Sequence, residues 1–266
     1  MIETCAVCKK GKGPKICEEC GFSHNGFINK SFLSPEDFEI WVKKVVKPYR
    51  KQWRAKKNEE KLWEQGMAEK YSTFTDYRDG KMYKTIKIGE QIWMAENLAY
   101  VIGGKYYKDE PAYGKKYRLL YEWKDAMKAC PEGWHLPSNA EWKLLVDLAG
   151  GEKIAGKKLK ARSGWNHPDG ESGNGTDDFG FAALPGGGEH QGYIGVGVES
   201  LRAGCFGCWW SGSLCEEKIE LSYNWSGSSR EDISKLAYSW EMNLHGNISK
   251  KLRYKWNLFS VRCVKN

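Results

Sequence analysis

Four cysteines near the start of the chain have the spacing of a metal site. Cys5-x-x-Cys8 and Cys17-x-x-Cys20 stand eight residues apart, so two short turns would each present two thiolates to one tetrahedral Zn2+, as in a zinc ribbon. Four thiolates overcharge the ion, and Lys9, Lys10, Lys12 and Lys15 between the pairs would offset the excess. Four protein ligands leave no position for water, which makes the expected zinc structural rather than catalytic. Two disulfides in an exported peptide are the alternative reading of the same four residues.

A second cysteine group, Cys205, Cys208 and Cys215, surrounds Trp209-Trp210-Ser211. Free thiols, an oxidised pair, or a metal site completed by His190 all fit three cysteines without an obvious fourth ligand. His135 lies between Trp134 and Leu136, and no Ser or Cys nucleophile with a partner acid forms a recognisable arrangement around it. A core histidine held by hydrogen bonds is therefore expected there, not a catalytic base. His24, His167, His190 and His245 make no metal motif among themselves. Asn174, Asp177 and Asp178 offer oxygen ligands for Ca2+, but not at the spacing of an EF-hand loop, so a plain turn competes with a calcium site.

The stretch 222–247 is dense in Tyr, Trp, Asn, Ser and His. Such a mixture pairs rigid contact area with adaptable hydrogen bonding, as antibody loops do. Tyr223, Asn224, Trp225, Tyr238, Trp240, Asn243 and His245 are thus expected to bind a ligand, most readily a protein. The competing reading turns Tyr238 and Trp240 inward as strand residues and uses Trp225 to cover the core.

These groups need elements to position them. Ser34-Pro35-Glu36-Asp37 opens a helix, and Phe38, Trp41, Val42, Val45, Val46, Tyr49 and Trp53 follow at three-and-four spacing. Pro48 should kink or split it. Nine Lys/Arg against two Glu lie between Lys43 and Lys61; they read as a solvated linker helix, with an anchor for an acidic partner or nucleic acid as the alternative. A hairpin follows, Phe74–Tyr77 and Met82–Ile88 around Asp79-Gly80, then a third strand at Gln91–Met94 and a short helix over Leu119–Ala129. The Pro-bounded turn Cys130-Pro-Glu-Gly-Trp-His-Leu-Pro-Ser138 redirects the chain. Ser138 and Glu141 then form a capping box ahead of Trp142, Leu144, Leu145 and Leu148, closed by Gly150 and Gly151. From Ala155 onward the composition is that of loops on a rigid scaffold.

The runs FTDYRDGKMYKTIKIGEQIWMAENL (Phe74 to Leu98), CPEGWHLPSNAEW (Cys130 to Trp142), AGKKLKARSGW (Ala155 to Trp165), DDFGFAALPGG (Asp177 to Gly187), WWS (Trp209 to Ser211) and the terminal SVRCV occur in one order. Together they resemble the Fibrobacter succinogenes major paralogous domain over roughly residues 74–266. The resemblance implies a C-type-lectin-like fold, related in shape to formylglycine-generating enzymes and to the variable proteins of diversity-generating retroelements. In the latter the diversified residues occupy the place of 222–247. The former bind copper through cysteines, which keeps an enzyme among the alternatives, although their Arg-Gly-Gly-Ser run is absent. The resemblance also places the turn at Cys130 beside the final strand at Cys263, and those two thiols are expected to be adjacent and reduced.

The expected organisation is α+β: a zinc ribbon over 1–30, a basic amphipathic helical linker over 31–72, and a C-type-lectin-like domain over 73–266. That domain is expected to hold two helices, a twisted and mainly antiparallel sheet, and long loops. The net charge is +8, of which +5 falls in residues 1–73; this permits nucleic acid or acidic partners without requiring them. No run approaches the roughly 18 apolar residues of a membrane span. The first twenty residues hold four Cys and no apolar run, so no signal peptide and a cytoplasmic location are expected.

Overall fold

The computed structural model describes residues 35–166, 170, 172–189, 201–215 and 233–266. The ribbon cysteines Cys5, Cys8, Cys17 and Cys20, the binding candidates Tyr223, Asn224 and Trp225, and His24, His167 and His190 lie outside them. The chain divides into two compact units, Met1–Glu69 and Lys70–Asn266.

In the first unit, α1 (Pro35–Trp41) passes through a π-helical turn, Val42–Val46, into α2 (Lys47–Ala68). Pro48 sits in the first turn of α2, where its missing N–H does least harm, and the Lys47 N–H reaches back to Val42 O. The widened turn thus splits the helix at the proline, as its chemistry requires. Lys51, Arg54, Lys56, Lys57 and Lys61 are exposed, while Tyr49, Trp53 and Trp63 are half-buried. Among the described residues no helix is long and apolar enough to cross a membrane.

The second unit is mixed α+β with two five-stranded sheets where the sequence suggested one. The first has the order β1-β2-β3-β10-β5, the second β4-β9-β6-β7-β8. β1 (Tyr71–Asp76) and β2 (Lys81–Ile88) form the expected hairpin, with Asp76 opposite Lys81 and Gly80 at φ 73° in the turn. β1 begins at Tyr71, inside the expected linker. β3 (Gln91–Met94) adds to β2 and, at Trp93, meets β10 (Val264–Lys265). β10 pairs in turn with β5 (Trp134–His135).

The helix expected over Leu119–Ala129 is shorter. Leu120 and Tyr121 are instead β4, paired with Ser260 and Phe259 of β9 (Phe259–Ser260). Before β4 comes α3 (Pro111–Tyr117), and after it α4 (Trp123–Ala129). The edge of a sheet satisfies the backbone of Leu120 and Tyr121 in place of a helical turn. α5 (Asn139–Leu148) has both halves of its capping box: Ser138 Oγ accepts the Glu141 N–H, and Glu141 Oε2 accepts the Ser138 N–H at 2.7 Å. α6 (Ala155–Leu159) is a single turn and a half.

β6 (Gly207–Leu214), β7 (Leu236–Met242) and β8 (Ile248–Tyr254) make the centre and one edge of the second sheet. Every residue of β7 is buried, so this strand is covered on both faces. Trp93, Trp142, Trp165, Trp209, Trp210 and Trp240 are all essentially inaccessible. Trp142 from α5 touches Trp93, Phe181, Trp209 and Trp240 with ring centroids 5.0–6.2 Å apart. The tryptophans of this unit thus serve its core first.

Cys130 and Cys263 are adjacent, with Cα atoms 5.9 Å apart, and they form a disulfide rather than the expected free thiols. The pairing of Val264 with His135 brings them together. Arg78 locks the same corner: it holds both oxygens of the buried Asp76 at 2.7 and 2.9 Å, donates to Ala129 O at 2.8 Å, and lies 3.7 Å from the Tyr100 ring centroid. Burial acts to raise the Asp76 pKa, but the Arg78 hydrogen bonds outweigh it and hold this carboxyl below its ordinary value.

Candidate functional site

Loops from distant parts of the sequence converge on one buried cation. α6 ends at Leu159, and the extended backbone of Lys160 (φ −67°, ψ 140°) turns that residue inward, leaving it 1% exposed. Its Nζ donates to Gly173 O at 2.5 Å, Leu244 O at 2.9 Å and Asn243 O at 3.3 Å, and stands 4.7 Å from the Trp165 ring centroid. Three carbonyls and an aromatic face thus hold an ammonium group between the segments 163–166 and 172–178 and the β7–β8 turn 243–247.

Backbone bonds complete the clamp. Gly175 N–H donates to Ala161 O, Thr176 N–H to Lys157 O, Asp178 N–H to Lys158 O, and Ile248 N–H to Glu152 O, all at 2.9–3.0 Å. A Cβ on Gly156 would stand 2.3 Å from Gly246 O, so α6 and the turn meet closely enough to require glycine there. On the outside of this assembly Asn166, Ser172, Asp178, His245 and Asn247 are exposed and Asn243 is half-buried. The result is a polar face on a rigid base.

Burial, with Lys157 adding to it, lowers the Lys160 pKa from 10.5 to about 8. Below about 8 folded and unfolded chains both hold the proton, and folding bears the full cost of burying the charge. Between about 8 and 10.5 only the unfolded chain keeps it, so this group makes stability rise with pH across that window. Denaturant unfolding should show Lys160→Met less stable than the wild type at neutral pH, because three carbonyls lose their donor. The variant should also lack the rise; a difference between the two proteins that stays flat from neutral pH to about 10.5 would contradict the titration.

The expected site residues fare unequally. Asn243 and His245 belong to the clamped turn. Tyr238 and Trp240 are buried, 8% and 2% exposed, and present no recognition surface. Trp240 donates to Asn139 Oδ1 at 3.2 Å and stacks on Trp142. The inward reading of these two residues is the one that the structure shows.

Cys205, Cys208 and Cys215 are free thiols. Cys208 is fully buried, which pushes its thiol well above the ordinary range, whereas a reactive cysteine needs the opposite. Cys205 Sγ points to Asn166 O at 3.4 Å. Among the described residues no three His, Cys, Asp or Glu side chains converge as a metal would need; His190, the fourth ligand of the metal reading, lies outside them.

In the calcium candidate, Asn174 Oδ1 accepts the Trp165 N–H and Asp177 Oδ1 the Ala182 N–H, as turn residues do. Burial raises the Asp177 pKa to about 6. His135 is hydrogen-bonded as expected but is not in the core. Its side chain is 41% exposed, with Nδ1 2.6 Å from Asn266 Oδ1 and Nε2 2.8 Å from Glu141 Oε1. With both nitrogens engaged, it braces the capping box.

Two buried cations escaped the sequence reading. Besides Lys160, Arg262 is 1% exposed, with its Nη2 2.9 Å from Asn97 Oδ1 and another donor on Phe181 O. Asn97 Oδ1 also accepts the Trp209 indole N–H at 2.9 Å, and its Nδ2 donates to Ser260 Oγ. The network therefore ties β6, β9 and the segment after β3 together. The signal that could have found both was a cation inside an apolar run, Leu159-Lys160-Ala161 and Val261-Arg262-Cys263.

Comparison with curated proteins and with solved structures gives no match. The model of the Fibrobacter succinogenes major domain matches residues 86–265, from within β2 to the end of β10. It covers β3 to β10 and both buried cations but not β1, and the chain belongs to the Fibrobacter succinogenes major domain family.

Proposed function

We propose that this chain is a recognition protein whose second unit, of C-type-lectin-like fold, binds a protein partner through the face built by segments 163–166 and 172–178 and turn 243–247. The observation that carries this reading is the Lys160 clamp, which fixes two sequence-distant polar loops to one base. Preorganised loops lose less entropy on binding. Tyr223 and Trp225 would supply the aromatic anchors and Asn224 a hydrogen-bonding contact. Residues 1–30 form a zinc ribbon on Cys5, Cys8, Cys17 and Cys20 that serves as a docking module. A second reading, nucleic-acid binding through α2, is favoured by its exposed Lys51, Arg54, Lys56, Lys57 and Lys61. For location, the sequence points to the cytoplasm and the disulfide to an oxidising compartment.

The full chain should capture a partner from extract of its own source, and the purified partner should bind the Ser172→Arg/His245→Glu variant about tenfold or more weakly at an unchanged melting temperature. Undiminished binding would move the recognition face elsewhere. Purified protein should carry one zinc per chain, and Cys5→Ser/Cys20→Ser should carry none. Zinc content unaltered by that change would refute the ribbon.

A further inference from the structure

Away from the clamped loops, Tyr71 of β1, Lys84 of β2, Glu96, and Lys116 to Arg118 at the end of α3 surround a cleft of about 280 Å3. Lys115 also lines it, so four cationic side chains face the space against the single carboxylate of Glu96. Two of the lysines lie near aromatic rings: Lys84 Nζ is 5.4 Å from the Tyr71 centroid and Lys116 Nζ 5.0 Å from that of Tyr117. Such contacts favour an ammonium group without neutralising it. Glu96 is already engaged, with Oε1 3.6 Å from Arg118 Nη2 and Oε2 accepting the Lys84 backbone N–H at 3.1 Å. It positions Arg118, and among the described residues no carboxylate pairs with Lys84, Lys115 or Lys116.

The backbone is strained at this point. Arg118 has φ 72° and ψ −141°, a region that is almost the preserve of glycine and that side-chain residues occupy only at a cost. It is held from both sides, since its N–H donates to Gly114 O at 3.1 Å and the preceding carbonyl, Tyr117 O, accepts Asn97 Nδ2 at the same distance. Asn97, which also lines the cleft, binds the buried Arg262 guanidinium. A buried positive charge thus stands behind those of the lining. Low-dielectric walls around one sign of charge focus its field on a small ion.

Size and chemistry narrow the ligand. The volume is just below the usual range of small-molecule pockets, roughly 300–1,000 Å3. Lysines bind phosphate as point charges and arginine adds a planar fork, and a phosphate monoester carries a charge near −2 for them to meet. We infer that this cleft binds a small organic phosphate, its phosphoryl group among Lys84, Lys115, Lys116 and Arg118 and its carbon portion against Tyr71 and Leu184.

Calorimetric titration of the full chain with phenyl phosphate at low ionic strength tests this, with inorganic phosphate and benzoate as companion probes. Phenyl phosphate should bind, inorganic phosphate more weakly, and benzoate weakest. Lys84→Gln/Lys116→Gln should weaken phenyl phosphate about tenfold or more, while Lys87→Gln/Lys128→Gln, an equal loss of charge at exposed positions outside the lining, should not. Thermal melts check that both variants fold, and Arg118→Lys supplies an independent third variant, expected to weaken binding by removing the fork. Equal affinity for phenyl phosphate and inorganic phosphate would overturn the organic part of the assignment. No binding of phenyl phosphate, or equal weakening by the two double variants, would overturn the site itself.

Discussion

Opening the Cys130–Cys263 bond should destabilise residues 70–266 more than almost any single side-chain change. The bridge closes a loop of 133 residues in sequence separation. Loop-closure entropy sets its contribution at about 3–5 kcal/mol, all of it through the unfolded chain. For a unit of this size that is a fall in melting temperature on the order of 10 °C. Cys130→Ala/Cys263→Ala should match the reduced wild type, and the wild type with reductant should approach the variant without it. If the double variant melted with the wild type as purified, without reductant, the bond would be absent from the purified protein or would not stabilise it. Alkylation of thiols at lysis would then separate the two locations: a blocked Cys130 means a reduced pair and supports the cytoplasm, an unreactive one an oxidising compartment.

The corner around that bond shows which interactions survive reduction. Arg78 still caps the end of α4 through Ala129 O and Cys130 O and still neutralises Asp76. Because the Asp76 pKa is held down in the folded state, its contribution is fully present above the ordinary carboxylate pKa and is lost on acidification. Asp177 works in the opposite sense. With its folded pKa raised to about 6, it favours the folded state in acid and ceases to do so as pH rises through that value. Acid stability is therefore a contest between these carboxylates and does not follow from net charge alone.

What was legible in the sequence was local. The α5 capping box, the Asp79-Gly80 turn and the effect of Pro48 all depend on residues within one or two turns of each other, and each was read from spacing; the α5 stripe was legible only in part, since Trp142 and Leu145 are buried but Leu144 and Leu148 are exposed. β4 was missed because two residues paired with a partner about 140 positions away leave no periodic trace. Lys160 and Arg262 were missed for the same physical reason. Their acceptors are carbonyls and an amide up to 84 and 165 residues distant, so nothing nearby announces that these cations are buried. Tyr238 and Trp240 were ambiguous for a different reason: composition cannot tell a Trp that anchors a partner from one that fills a core, and a strand buried on both faces loses the alternation that would have decided it.

That ambiguity can be measured at two positions five residues apart. Trp240 is 2% exposed, bonds Asn139 and stacks on Trp142 with ring planes 19° apart. Trp240→Ala should therefore leave a cavity beside Trp142 and destabilise the unit by about 3–5 kcal/mol. His245 is exposed at the tip of the clamped turn, and His245→Ala should stay within about 0.5 kcal/mol of the wild type. The same two variants should reverse rank when a partner is titrated, provided that Trp240→Ala is assayed below its lowered melting point. The core residue then binds nearly as the wild type does, and the surface residue loses affinity. A Trp240→Ala protein that melts normally yet fails to bind would return Trp240 to the recognition surface and would mean that β7 is not buried in solution.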